Sequence, residues 1–189
     1  MLTFRDLRAD EIECRIQSVK KNGLVLLLYK DARCDMNILD ETVGADNWQN
    51  RFYEQKGILF CSLGINTNYN DPAKGDRWVW KDDAGTESNT EAEKGNASDA
   101  RKRSGFCFGL GRELYTAPFI WIPADKCNIT SDGKCFDRFE VEKIKIEDKH
   151  ITGLSIINTN TKQRAFVWAK KEQKTQTEQT FMAPDYINK

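Results

Sequence analysis

"WQNRFYEQKGILFCSLGINTNYNDPAKGDRWVWKDD", residues 48 to 83, holds three runs with strand composition: "WQNRFYEQ" from Trp48, "GILFCSLGI" from Gly57 and "RWVWKDD" from Arg77. They are separated by "KG" and by the polar "NTNYNDPAKGD", rich in turn-forming residues. Consecutive short strands with short connections predict an antiparallel meander. Trp78 and Trp80 fall on one face, opposite Val79, and alternation assigns them, with Trp48, to core packing. Alternation leaves Tyr53 unassigned.

Working towards the N-terminus, "GLVLLLYK", residues 23 to 30, is a short apolar run that reads as a buried strand. After it, "DARCDMNILDETVG" places Ala32, Met36, Leu39 and Val43 at spacings of four, three and four, one face of a short amphipathic helix that Gly44 ends.

Towards the C-terminus the pattern changes after Gly85. Thr90 with Glu93 makes a capping box, and Ser88 with Glu91 offers the same pattern one step earlier, so a helix starts near residue 90. Ala97, Ala100, Ser104 and Cys107 form a face of small residues, whose partner must come close. Gly95 and Gly105 each cost about 1 kcal/mol relative to Ala in a helix interior, which close approach or a kink would offset. Three further strands follow: "FEVEKIKI" with Phe139, Val141, Ile144 and Ile146, then "ITGLSII", then "AFVWA", joined by polar connections. The last segment, residues 171 to 189, is polar and aperiodic and reads as a flexible tail. The expected fold is therefore α+β, with an antiparallel β-meander packed against a basic helix and a second small C-terminal β-meander, in one domain over residues 1 to 170.

A chain of 189 residues with 39% hydrophobic content suits one such domain. It has no apolar run of about 18 residues, so no membrane partner is expected. "MLTFRDLRADEIE" has none of the features of a secretory signal, and a cytoplasmic setting is expected. The six cysteines then read as reduced thiols, with Cys61 and Cys107 as small buried hydrophobes. The nearest cysteine pair is Cys127 and Cys135 and the single histidine is His150, a poor pattern for zinc, so no metal is expected. His150 lies in a turn-like segment and reads as a surface residue. No G-x-x-x-x-G-K-[ST] occurs, so no nucleotide cofactor is expected.

The chain carries 29 Lys+Arg and 29 Asp+Glu, but their distribution is uneven. Between 94 and 112, Lys94, Arg101, Lys102, Arg103 and Arg112 face one anion, Asp99; between 71 and 93, carboxylates predominate. The three adjacent cations Arg101, Lys102 and Arg103 span a wide arc of a helix and cannot all pair with one partner. They read either as a solvated face, partly neutralised by Asp99 and the acidic stretch, or as a phosphate-binding helix that attracts a polyanion by counterion release.

"ASDARKRSGFCFG" resembles the signature helix of the Rad fifty-two family of single-strand annealing proteins, with Asp99, Lys102, Arg103, Phe108 and Gly109 in register. "YKDARCDMNILDETVGADNWQ" resembles that family's earlier segment, in which an Arg opens a helix that ends at Gly before an Asn-Trp leading into the first long strand; Arg33, Leu39, Gly44, Asn47 and Trp48 are the matching positions. The resemblance covers roughly residues 24 to 115. It implies a non-enzymatic, ring-like homo-oligomer that binds single-stranded DNA and anneals it without nucleotide hydrolysis in recombination or repair. Carried over, the DNA contacts are Arg33, Lys102 and Arg103. Where the family commonly has a further Arg, this chain has Phe106, and Arg101 is the substitute cation. A single-strand-binding protein is a further candidate partner, and the second meander has no counterpart in the family pattern.

Two other classes stand beside this one. Glu54-Gln55-Lys56 and Glu147-Asp148-Lys149 fit the Glu-x-Lys of metal-dependent nucleases, with Asp82, Asp83 and Glu87 nearby in sequence as an acidic cluster. The acidic stretch from Asp82 to Glu93 could instead serve a protein-binding module.

Overall fold

The structure, a computed structural model, describes residues 2–85 and 92–171. The chain runs β1 (Glu13–Lys20), β2 (Gly23–Tyr29), α1 (Ala32–Val43), β3 (Trp48–Gln55), β4 (Ile58–Asn66), β5 (Trp78–Ala84), α2 (Ala92–Phe108), β6 (Ile120–Pro123), β7 (Phe139–Glu147), β8 (His150–Asn158) and β9 (Gln163–Ala169). The fold is α+β, and both expected meanders form: β3-β4-β5 and β7-β8-β9, each antiparallel. Not foreseen are β1 and β6. With β2 they join the second meander in a six-stranded sheet of order β6-β2-β1-β7-β8-β9, and β1 meets β7 at a single register pair, Glu13 and Glu140. The side chains of the expected capping box, Thr90 and Glu93, and residues 172 to 189 of the expected tail lie outside the described residues. Among the described residues no helix is long and apolar enough to cross a membrane.

Local chemistry explains both ends of α1. Asp31 accepts the Cys34 N–H at 2.8 Å as N-cap, and Gly44, at φ 84°, turns the chain out while its N–H reaches Asp40 O at 3.0 Å. Asn47 donates to the orphan Val43 carbonyl at 3.0 Å, and Trp48 Nε1 donates to Asp40 at 2.6 Å, so the Asn-Trp step joins α1 to β3. The buried stripe of α1 is Cys34, Asp35, Ile38, Leu39 and Val43. Leu39 and Val43 belong to the predicted face, whereas Ala32 and Met36 are only half-buried. The stripe is rotated because a charged residue, Asp35, lies inside it, which hydrophobic periodicity counts as outward.

One hydrophobic core runs through Leu24 and Leu26 of β2, Ile38 and Leu39 of α1, Leu63 and Ile65 of β4, Ile120 and Ile122 of β6, and Ile151 and Ile156 of β8. Each such side chain, fully buried, contributes about 1.5–3 kcal/mol.

Helix α2 lies on one face of the β3-β4-β5 sheet. The register puts Phe52, Cys61 and Asp83 opposite one another, so they point to the same side, with Leu63, Lys81 and Ile65. The small-residue stripe of α2 packs there: Ala100 and Ser104 are fully buried, with Ser104 against Cys61. The other side carries Arg51, Tyr53, Phe60, Trp78 and Trp80. Trp78 stacks on Trp80 at 6.2 Å, Tyr53 on Phe60 at 5.3 Å, and the Arg51 guanidinium covers Trp80 at 4.5 Å. The core assignment thus holds for Trp48, which packs against the main cluster, and is corrected for Trp78 and Trp80, half-buried on the face away from α2. Alternation shows that two residues share a face; it does not show which face the helix takes, and α2 takes the side where Cys61 permits close approach.

Candidate functional site

The three adjacent cations diverge because Ala100 and Ser104 fix which side of α2 meets the sheet. Arg101 emerges towards α1 and β3. Its Nη1 lies 3.4 Å from the Met36 sulfur, its guanidinium sits 5.6 Å from the Phe52 ring centre, and its Nε is buried without a hydrogen-bond partner. Arg103 emerges on the opposite side, with Nε 3.3 Å from Asp83 of β5. Lys102 lies towards α1, where its charge acts on Lys30 and Asp35. Arg33 stands in the first turn of α1, one turn before Met36; its side chain is 87% exposed, with Nη1 3.6 Å from Asp31. The fold therefore turns Arg101 and Lys102 towards α1 and directs Arg103 to the other side of α2, while Arg33 stands exposed in the first turn of α1. For Arg103 the solvated-face reading holds in part. Its half-exposed pair with Asp83 contributes about 0–1 kcal/mol and yields readily to a competing anion.

Beneath Lys102 lies a buried ion pair. Lys30, at the end of β2, donates to Asp35 Oδ1, with the two side chains 1% and 2% exposed. Burial pushes the Asp35 carboxyl up and the Lys30 ammonium down, so desolvation opposes both charges. Asp35 Oδ2 is buried without a partner. The expected close approach occurs here: a Cβ on Gly105 would stand 3.4 Å from that oxygen. The Lys30 ammonium also sits 4.5 Å from the Phe106 ring centre, so Phe106 caps the buried pair.

Two other cations satisfy the C-terminal end of α2. Arg112 donates to Phe106 O at 2.9 and 2.5 Å and to Cys107 O at 3.1 Å, and Lys81 Nζ donates to Cys107 O at 2.7 Å. Arg112 is thus a helix cap despite its contribution to the basic segment. Sequence reasoning missed Lys30, whose only signal is a charge closing an apolar run five residues before Asp35.

The lysines of the nuclease pattern are placed at turns, while Glu54 lies in β3 and Glu147 ends β7. Lys56 (φ 54°) with Gly57 (φ 75°), and Asp148 (φ 49°) with Lys149 (φ 62°), form the two-residue hairpin turns of β3-β4 and β7-β8. Lys149 reaches Asp6 and Phe4 O, both at 2.7 Å, and Glu147 pairs with Lys145 at 2.8 Å. Among the described residues no three His, Cys, Asp or Glu side chains converge as metal ligands. His150 is exposed, with Nδ1 2.8 Å from Asp148 O. All six cysteines are free, and burial pushes the Cys14 and Cys34 thiols up to about 12.

No family model, curated protein or solved structure matches the chain. The functional reading is carried by the residues themselves.

Proposed function

We propose that this protein binds single-stranded DNA by its phosphates along the junction of α1 and α2, and anneals complementary strands in recombination or repair as a ring-like homo-oligomer. The observation that carries the reading is that Arg101 and Lys102 both turn from α2 towards α1, whose first turn exposes Arg33, with the Arg101 guanidinium set against a sulfur and a ring. The helix, meander and basic helix, in that order, agree with what the Rad fifty-two resemblance implies. Annealing needs no bound nucleotide, because base pairing supplies the free energy; the protein holds phosphates and reduces repulsion between strands. A few cations per protomer bind weakly, and repetition around an oligomer multiplies them. Arg103, on the other side of α2, offers a separate phosphate contact once a phosphate displaces Asp83.

The test is annealing of two labelled complementary oligonucleotides without ATP or metal, comparing wild type with Lys102→Ala, Arg103→Ala and with Arg33→Ala, Arg101→Ala. Acceleration by wild type that both double variants lose is the expected result. Acceleration that both retain moves the site away from the junction, and a folded wild type that accelerates nothing refutes the function.

A further inference from the structure

Beyond the phosphate contacts, we infer that Tyr115, braced by Phe106, is a stacking shelf for a base of the bound single strand; this rests on the reading of α2 as a DNA-binding helix. Tyr115 is 67% exposed, an unusual setting for a large ring. It is nonetheless held in place: its ring meets Phe106 at 4.8 Å with a 55° tilt, and Phe106 is fixed from beneath by the Lys30 ammonium at 4.5 Å. Lys102 precedes Phe106 by one turn on the same side of α2, so a phosphate-binding cation and an open aromatic surface are neighbours.

The backbone beneath Tyr115 is equally constrained. After α2 the chain turns through Gly109 and Gly111, at φ 99° and 63°, into a 3-10 turn over Arg112–Thr116. Glu113 is fully buried and accepts the Leu7 N–H at 2.8 Å. Thr116 Oγ1 donates to Glu113 O at 2.7 Å and accepts the Ile151 N–H at 2.8 Å. With Leu114 packed against the core, Tyr115 points outward from a turn anchored on both sides. A ring so pre-organised loses little freedom when a base stacks on it. The adjacent cations select a polyanion, and among polyanions only a single strand presents free base faces. The pattern also gives Phe106 a role: where a further Arg would bind one more phosphate, this chain supports a base.

The experiment measures affinity for a labelled oligothymidylate and for an oligomer of equal length bearing abasic sites, at one salt concentration. Tyr115→Ala is expected to weaken binding of the base-bearing strand about fivefold to a hundredfold and to leave the abasic strand unaffected, while Tyr115→Trp retains wild-type affinity. Equal losses on both strands, or none on either, overturn the shelf. If Lys102→Ala, Arg103→Ala loses both strands while Tyr115→Ala loses neither, the shelf fails and the phosphate site stands. If wild type binds neither strand, both readings fail.

Discussion

Replacing Lys30 by Met keeps an unbranched side chain of similar length and removes its charge, leaving the Asp35 carboxylate buried with neither oxygen paired. Breaking a buried pair from one side costs about 3–5 kcal/mol, against a total stability of about 5–15 kcal/mol. With a urea m-value of about 2 kcal/mol/M, the midpoint of unfolding should fall by about 2 M. Lys30→Met combined with Asp35→Leu should recover nearly all of that, because the desolvation that pushes Asp35 up and Lys30 down disappears with both charges. The loss should also depend on pH. A carboxyl whose folded pKa lies above its unfolded value binds its proton more tightly when folded, so stability falls as pH rises from the ordinary carboxylate range through the raised value. The Lys30→Met deficit should therefore be smaller near about pH 4 than near about pH 8. A single-variant loss below about 1 kcal/mol, or a double variant in which the two losses add, would refute the account of this pair.

Salt titration should separate the cations: Lys102→Ala is expected to flatten the logarithmic slope of single-strand affinity by about 0.7, and Arg103→Ala by less, since Arg103 first gives up Asp83. Equal effects would mean that Asp83 does not compete. Gly111→Ala should lower the melting temperature, because φ 63° strains any Cβ, which would also stand 2.5 Å from Lys30 Cε; an unchanged melt would contradict the packing. Glu142, held near about 2 chiefly by Arg164 and then by Ser155, stabilises the fold above the ordinary carboxylate range and ceases to do so as pH falls towards that value. Arg164→Met should return its NMR titration midpoint towards that range, and a midpoint that stays low would assign the shift to Ser155. Cys34, buried and pushed up to about 12, should resist iodoacetamide near about pH 8 in the native protein and react on unfolding; rapid native reaction would show that the thiol is not buried.

Much of the fold was legible because its signals are local. The turn at Lys56-Gly57 and the Gly44 helix stop act within a few residues and are placed as expected; of the connection at 147 to 150 only Asp148 and Lys149 form the turn, and of the small face Ala97, Ala100, Ser104 and Cys107 only Ala100 and Ser104 are buried. The unread strands show where that reasoning ends. In β1, Cys14 and Ile16 alternate with polar residues until a bulge before Ser18 breaks the period, and β6 has four residues ending in Pro123. Strand β1 pairs with β2 through a two-residue turn at Lys21-Asn22, which the mixed composition of β1 hides, whereas β6 pairs with β2 across a long sequence separation that no local pattern announces. At the candidate site, the row of cations was visible, but its division was not. Whether Arg101 and Arg103 point to one partner or two depends on which side Ser104 buries, and the pairing of Lys30 with Asp35 depends on α2 closing over both.

The single rung between β1 and β7 has a mechanical consequence. Elsewhere the six-stranded sheet is a continuous ladder, yet here two glutamates face each other, and the meander is tied back by Lys149 to Phe4 O and Asp6 and by Ile151 to Thr116. Pulled from its two ends, the molecule should part first along this seam, shedding β7-β8-β9 as one piece while β3-β4-β5 keeps its grip on α2.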